Sequence, residues 1–132
     1  LHAEHVPGRQ PLLTGLGLCL LAARATGKVI LDGVYNDIKD PEGFEAECLQ
    51  GRQMGFDGKT LIHPSQIDPA NAVWAPTPEA VDDAAALIAT FEEAIAAGKG
   101  VVTHNGRMIE NLHVDNARRT LAVADAIAAR QG

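Results

Sequence analysis

The spacing of apolar positions changes along the chain, and each change marks an element. Residues 12–23 (LLTGLGLCLLAA) form a nearly unbroken apolar run after Pro11. It reads as a buried helix ending at Gly27, where a left-handed C′ residue suits glycine. Residues 28–32 (KVILD) are a short β-branched run suited to a strand buried on both faces. Asp40-Pro41-Glu42 then supplies an N-cap, a first-turn proline and a carboxylate at the positive end of a helix. Phe44, Cys48 and Leu49 share a face of that helix, which stops near Met54-Gly55. After the Phe56-Asp57-Gly58 turn, residues 59–63 (KTLIH) read as a second strand, closed by Pro64. Asp32-Gly33 could also turn a hairpin, but the helix that follows favours a strand end opening into a loop.

Strand, helix and strand at this spacing form a βαβ unit, and such strands run parallel. Two strands cannot bury both faces of a parallel sheet. The sheet or barrel is therefore expected to be completed by something outside these residues.

The second half has another rhythm. Residues 65–75 read as an irregular connection containing Trp74. Thr77-Pro78-Glu79 repeats the capping pattern, and Val81, Ala84, Ile88, Phe91 and Ile95 recur at helical steps up to Gly98. Residues 100–109, turning at Asn105-Gly106, read as a hairpin with a type I′ turn. A last helix is expected over residues 111–129, with Ala117, Leu121, Ala124 and Ala128 on one side.

The 132 residues are 46% hydrophobic and 21% charged, the arithmetic of one globular domain and not of a disordered tail. The net charge of −6, without a basic block, argues against a nucleic acid or an anionic membrane as partner. Two cysteines, Cys19 and Cys48, are too few for a disulfide framework. They read as buried small hydrophobes in a reducing, cytoplasmic setting. The apolar run after Arg9, followed by Ala23-Arg24-Ala25, has the outline of a secretory signal. Glu4 and the sparse positive charge favour the buried helix instead. The chain begins at Leu1 and not at Met, so its native start is expected upstream.

In parallel α/β folds, chemistry gathers at the C-terminal strand ends. Asp32 and His63 stand there and are candidates for an acid/base pair, or for hydrogen-bonded loop anchors. Asp40 reads as a cap, with Asp37 and Lys39 solvated beside it. His104, His113 and Asp115 match no metal-ligand spacing and read as surface residues. Glu110, between the hairpin and the last helix, is placed where a carboxylate meets the helix dipole. No phosphate-cradling, dinucleotide or nucleophile-elbow motif is present. Cys19 and Cys48 lie inside helices, which makes them poor nucleophiles.

Two blocks carry a resemblance: Ile30-Leu31-Asp32-Gly33-Val34-Tyr35 with Lys39-Asp40-Pro41-Glu42-Gly43, and Met54-Gly55-Phe56-Asp57-Gly58-Lys59-Thr60-Leu61-Ile62-His63-Pro64-Ser65-Gln66-Ile67. Gly98-Lys99-Gly100-Val101-Val102 and Gly106-Arg107-Met108-Ile109-Glu110 continue it. The chain resembles the citrate lyase β-subunit-like, or malyl-CoA lyase-like, family of CoA-ester lyases. The resemblance implies an α/β fold in which residues 1–97 are the C-terminal part of a TIM (β/α)8 barrel, contributing its last two strands. Residues 98–132 would be an extension packing on a neighbouring subunit of a homotrimer or hexamer. It further implies a Mg²⁺-dependent cleavage or formation of a C–C bond between an acyl-CoA and a small keto acid through an enolate. The Mg²⁺ ligands are expected on strands outside this sequence. Ile62 and His63 match positions that contact CoA, largely through backbone. Glu110 matches an acid presented to the adjacent subunit's site, as proton donor to the enolate or as water activator in thioester hydrolysis. That acid is often Asp, and Glu is one methylene longer. The alternative is a catalytically incomplete chain serving only as an oligomerisation module.

Overall fold

The computed structural model describes the backbone of residues 2–131 and the side chains of residues 2–130. The chain divides into two compact units, Leu1–Trp74 and Ala75–Gly132.

In the first unit a 3-10 segment, Pro7–Leu12, leads into α1, Leu13–Ala25. Strand β1, Leu31–Asp32, is followed by α2, Pro41–Met54, and β2, Gly58–Lys59. A second 3-10 turn, Pro64–Gln66, opens α3, Ile67–Trp74. As expected, β1 and β2 pair in parallel, with Leu31 opposite Gly58 and Asp32 opposite Lys59. Both strands are shorter than the expected residues 28–32 and 59–63. The Lys28 N–H is one reason, because it donates to the Ala23 carbonyl at 2.8 Å and so closes α1. Beyond the pairing of Asp57 N–H with Ile30 and of Thr60 N–H with Asp32, neither strand has a ladder partner among the described residues.

The helix ends follow their caps. Asp40 accepts from the Gly43 N–H at 2.9 Å, with Pro41 at the first helical position. α1 and α2 both finish in the two-bond Schellman arrangement, around left-handed Gly27 (φ 63°) and Gly55 (φ 104°). Arg24, in the last turn of α1, donates to both Asp57 oxygens at 3.0 Å. Phe44, Cys48 and Ala70 form the core, with Tyr35, Leu61, Val73 and Trp74 packed against them.

Four expectations for this unit need correction. The helix α1, expected to be buried, buries only Leu20 among its residues and leaves Leu18 and Leu21 62% and 69% exposed. Residues 65–75 are not irregular: α3 forms because Pro69 falls in the first helical turn, where no amide donor is required, and Ala70 packs into the core. Leu49 is exposed, and Gly51 takes the buried position on α2. Cys19 is exposed as well, whereas Cys48 is buried as expected. Among the described residues, the sheet is covered on one face only. Asp32 is 1% exposed against α2, while Val29 and Leu31 on the other face are 78% and 55% exposed.

The second unit holds α4, Pro78–Ala96, the hairpin β3, Val102–His104, and β4, Arg107–Ile109, and α5, Asn111–Gln131. Thr77 caps α4 through the Ala80 N–H. Asn105 (φ 49°) and Gly106 (φ 75°) are both left-handed, as a type I′ turn requires. The core is Ala94, Val102 and Ile109 with Leu87 and Phe91, so the buried stripe of α4 runs through Ala84, Leu87, Phe91 and Ala94. Ile95, expected in that stripe, is 59% exposed. On α5, Val114 and Ala117 are buried, and the helix is progressively more exposed beyond Ala124. Among the described residues, no helix is long and apolar enough to cross a membrane.

Candidate active site

Asp32 and Lys59, paired across the parallel strands, point their side chains toward α2, where four charged groups meet. Nη1 of Arg9 donates to both Asp32 oxygens, at 2.8 and 2.9 Å. Lys59 Nζ donates to Asp32 Oδ2 at 3.2 Å and to Glu47 at 2.7 Å. Arg9 Nε donates to Gln50 at 2.8 Å and lies 3.5 Å from the other Glu47 oxygen. The Gly33 N–H completes the shell of Asp32 at 2.8 Å. Two cations balance two carboxylates, which is the condition for burying the Asp32 and Lys59 side chains completely.

The backbone is shaped to allow this. Arg9 is held in the left-handed region (φ 55°) next to left-handed Gly8, a costly conformation for a residue with a Cβ. That turn carries the guanidinium inward. Gly51 does the same service from α2, since a Cβ there would lie 2.7 Å from Asp32 Oδ2.

Asp32 and His63 are not brought together as an acid/base pair; among the described residues no hydrogen bond joins them. His63 caps the 3-10 turn: its Nδ1 accepts from the Ser65 N–H at 3.2 Å and lies 2.8 Å from Ser65 Oγ. A ring nitrogen that accepts from an amide carries no proton, so the neutral ring is protonated on Nε2. Ile62 and His63 are both exposed at this turn.

Sequence reasoning missed four residues here. Arg9, Lys59 and Glu47 complete the charge quartet around Asp32, and Gln66, only 3% exposed, straps two loops together. Gln66 Nε2 donates to the Tyr35 carbonyl, and its Oε1 accepts from the Ile62 N–H, both at 3.0 Å. The available signal was the polar residue two places after His63-Pro64, where a solvated turn would not demand glutamine.

The loop between β1 and α2 is braced by Tyr35, whose hydroxyl donates to Asp40 Oδ2 at 2.6 Å. That bond to a carboxylate, with burial and the Asp40 charge adding to it, pushes the Tyr35 pKa up to about 12. The same bond, with the Gly43 N–H, holds Asp40 below the usual carboxylate range. Asp37 only caps its own loop, accepting from the Lys39 N–H at 3.0 Å. Burial pushes the Cys48 thiol up, against the pull of Lys59, which leaves it a poor nucleophile.

In the second unit, Glu110 stands at the seam of β4 and α5 with its side chain exposed. Its N–H donates to His113 Nδ1 at 3.0 Å, and its carbonyl accepts from the His113 and Val114 N–H groups at 2.9 and 3.3 Å. No partner holds its carboxylate among the described residues. At the hairpin turn, His104 Nε2 and Asn105 Nδ2 each lie 2.8 Å from Asp83 Oδ1, fixing the turn to α4. Among the described residues, no group of three or more His, Cys, Asp or Glu could hold a metal ion. Asp32 and Glu47 are already neutralised by Arg9 and Lys59, so these side chains do not fit a magnesium site.

A family model for C–C bond lyases of the TIM-barrel fold matches residues 16–128. The chain belongs to that family. The chain is 57% identical over 129 residues to a (3S)-malyl-CoA thioesterase of Cereibacter sphaeroides, covering 98% of the chain and 45% of the relative. It is 42% identical to the citrate lyase subunit beta of Leuconostoc mesenteroides subsp. cremoris, over 91% of the chain and 40% of the relative. Among solved structures it is similar to the protein CitE from Mycobacterium tuberculosis in complex with magnesium, acetoacetate and coenzyme A. The TM-score is 0.74 at 29% identity, over 95% of this chain and 46% of that one. The chain thus spans less than half the length of the relatives it matches.

Proposed function

We propose that this chain is the C-terminal portion of a cytoplasmic CoA-ester carbon–carbon lyase of the malyl-CoA or citramalyl-CoA type. It supplies the last two strands of a TIM barrel from residues 1–97, and from residues 98–132 an extension that packs on a neighbouring subunit of a trimer or hexamer. The observation that carries this reading is the half-covered sheet. Its charged side is sealed by α2, while Val29 and Leu31 leave an apolar face bare. In a closed barrel that face is the packed interior.

The magnesium and coenzyme A bound to the CitE relative support a whole enzyme that uses both. Magnesium would polarise the keto-acid carbonyl from ligands outside this chain. The residues of this chain have separable tasks. Exposed Ile62 and His63 meet the CoA portion, largely through backbone. Glu110, working in trans, donates its carboxyl proton to the carbon of the acyl-CoA enolate left when the C–C bond breaks, and becomes a carboxylate. Asp32 acts at a distance as a positioning residue, fixing the end of β1 through Arg9, Lys59 and Gly33.

The 57% identity to a malyl-CoA thioesterase favours a second reaction on the same group. There the Glu110 carboxylate takes a proton from water, the water oxygen adds to the thioester carbonyl, and the C–S bond breaks as Glu110 returns that proton to the leaving sulfur, releasing CoA thiol. The two readings begin from opposite protonation states of one side chain.

Incubating malyl-CoA and citramalyl-CoA with the complete polypeptide and with the 132 residues alone tests the proposal. The complete enzyme should release keto acid, or CoA thiol if hydrolysis dominates, and the isolated chain should release neither. Turnover by the isolated chain would defeat the proposal.

A further inference from the structure

We infer that His113 is a positioning residue for Glu110, an inference that rests on the proposed role of Glu110 as the acid working in trans. Glu110 follows the last ladder pair of the hairpin, Val102 with Ile109, so its N–H has no strand to bond. It also precedes the first turn of α5, where backbone donors are left over. The imidazole of His113 fills this gap, with Nδ1 3.0 Å from the Glu110 nitrogen. The N–H of the same His113 donates to the Glu110 carbonyl at 2.9 Å. One residue therefore grips both sides of the Glu110 backbone, while buried Ile109 and Val114 anchor the flanking chain.

The arrangement is one half of a capping box, with imidazole at the third helical position where Glu or Gln usually reaches back to the N-cap N–H, and with the Glu110 backbone carbonyl, not its side chain, accepting from the His113 N–H. The substitution has a chemical consequence. A glutamate at position 113 would set a second carboxylate beside Glu110 and oppose its ionisation. A neutral ring supplies the acceptor without that charge, and with only two side-chain torsions to fix. The carboxylate of Glu110 makes no bond among the described residues. Its backbone is constrained at both ends while its acid is left free, as suits a group that acts on something else. Misplacing a reacting group by about 1 Å costs on the order of 100-fold in rate.

In the complete enzyme, His113→Gln, His113→Leu and Glu110→Ala separate the possibilities, with kcat expressed per folded subunit. Gln can restore the bond to the Glu110 N–H, so His113→Gln should keep kcat within roughly threefold. His113→Leu should lower kcat by roughly 10- to 100-fold with KM nearly unchanged. A purely structural cap would shift the melting temperature and leave kcat per folded subunit alone; that result overturns the inference, as does an equal kcat loss for Gln and Leu. If Glu110→Ala abolishes turnover while His113→Leu does not, the inference falls and the reading of Glu110 stands. If Glu110→Ala turns over normally, both fall. Should His113→Leu not fold, amide exchange at Glu110 in the unsubstituted protein decides. Protection of at least about tenfold over an open amide is expected for a bonded N–H, and an unprotected amide overturns the inference.

Discussion

The guanidinium of Arg9 donates through one nitrogen, Nη1, to both oxygens of the Asp32 carboxylate, and the two side chains are 9% and 0% exposed. Lys59 and Glu47 complete a neutral set of four. Removing one member of a buried pair leaves an uncompensated charge, which costs far more than the pair itself contributes. Arg9→Met or Asp32→Leu should therefore lose about 3–5 kcal/mol of unfolding free energy in urea. The double variant leaves the Lys59–Glu47 pair balanced and should lose less than the sum of the two. Additive losses would mean that the two residues do not act as a pair.

Gly51 makes the neighbouring prediction. The Cβ of an alanine would stand 2.7 Å from an Asp32 oxygen that Arg9 and Lys59 hold in place. Alanine normally favours a helix over glycine, yet here Gly51→Ala should destabilise by roughly 1–3 kcal/mol, as overpacking does. A stabilising effect in thermal unfolding would show that the carboxylate moves freely.

These features mark where the sequence was readable and where it was not. Asp40-Pro41, Thr77-Pro78 and the Gly27, Gly55 and Gly98 helix ends are local chemistry, and the fold follows them. The hairpin turn at Asn105-Gly106 is equally local. Arg9 was not legible because its partner lies 23 residues away and a left-handed turn must first bring it inward. Lys59 read only as the first residue of a strand, since nothing local reveals that Glu47 waits on α2. Residues 65–75 read as irregular, although Pro69 falls in a first helical turn where it is tolerated. At the site, the position of Glu110 was visible, while the strap made by Gln66 depends on two loops meeting.

The Tyr35–Asp40 bond gives stability a dependence on pH at both extremes. Tyr35 titrates near 12 when folded, above its ordinary 10.0, so its stabilisation is full below pH 10 and fades as pH rises toward 12. Asp40 is shifted the other way from 3.8, so its stabilisation is present above pH 4 and is lost as pH falls through the lowered folded value. Tyr35→Phe should flatten the alkaline limb of a stability-versus-pH curve and weaken the acid one. An unchanged alkaline limb would contradict the bond.

Gln66→Leu removes the acceptor for the Ile62 N–H and the donor to the Tyr35 carbonyl. Amide exchange at Ile62 should accelerate by at least about tenfold, the cost of one lost hydrogen bond. If Ile62 and His63 meet the CoA portion as proposed, KM of the complete polypeptide for the CoA thioester should rise more than kcat falls, because the loosened turn carries both residues. An unaltered Ile62 exchange rate would show that Gln66 fills space and nothing more.

Turnover of malyl-CoA by the complete polypeptide carrying Glu110→Ala, with subunit mass measured alongside, is the most direct test of the whole account. A group that moves a proton in the reaction contributes roughly 10²- to 10⁴-fold. The kcat should drop by at least about 100-fold while the assembly keeps its mass. Full turnover by an intact assembly would contradict it and leave this chain a structural partner in someone else's chemistry.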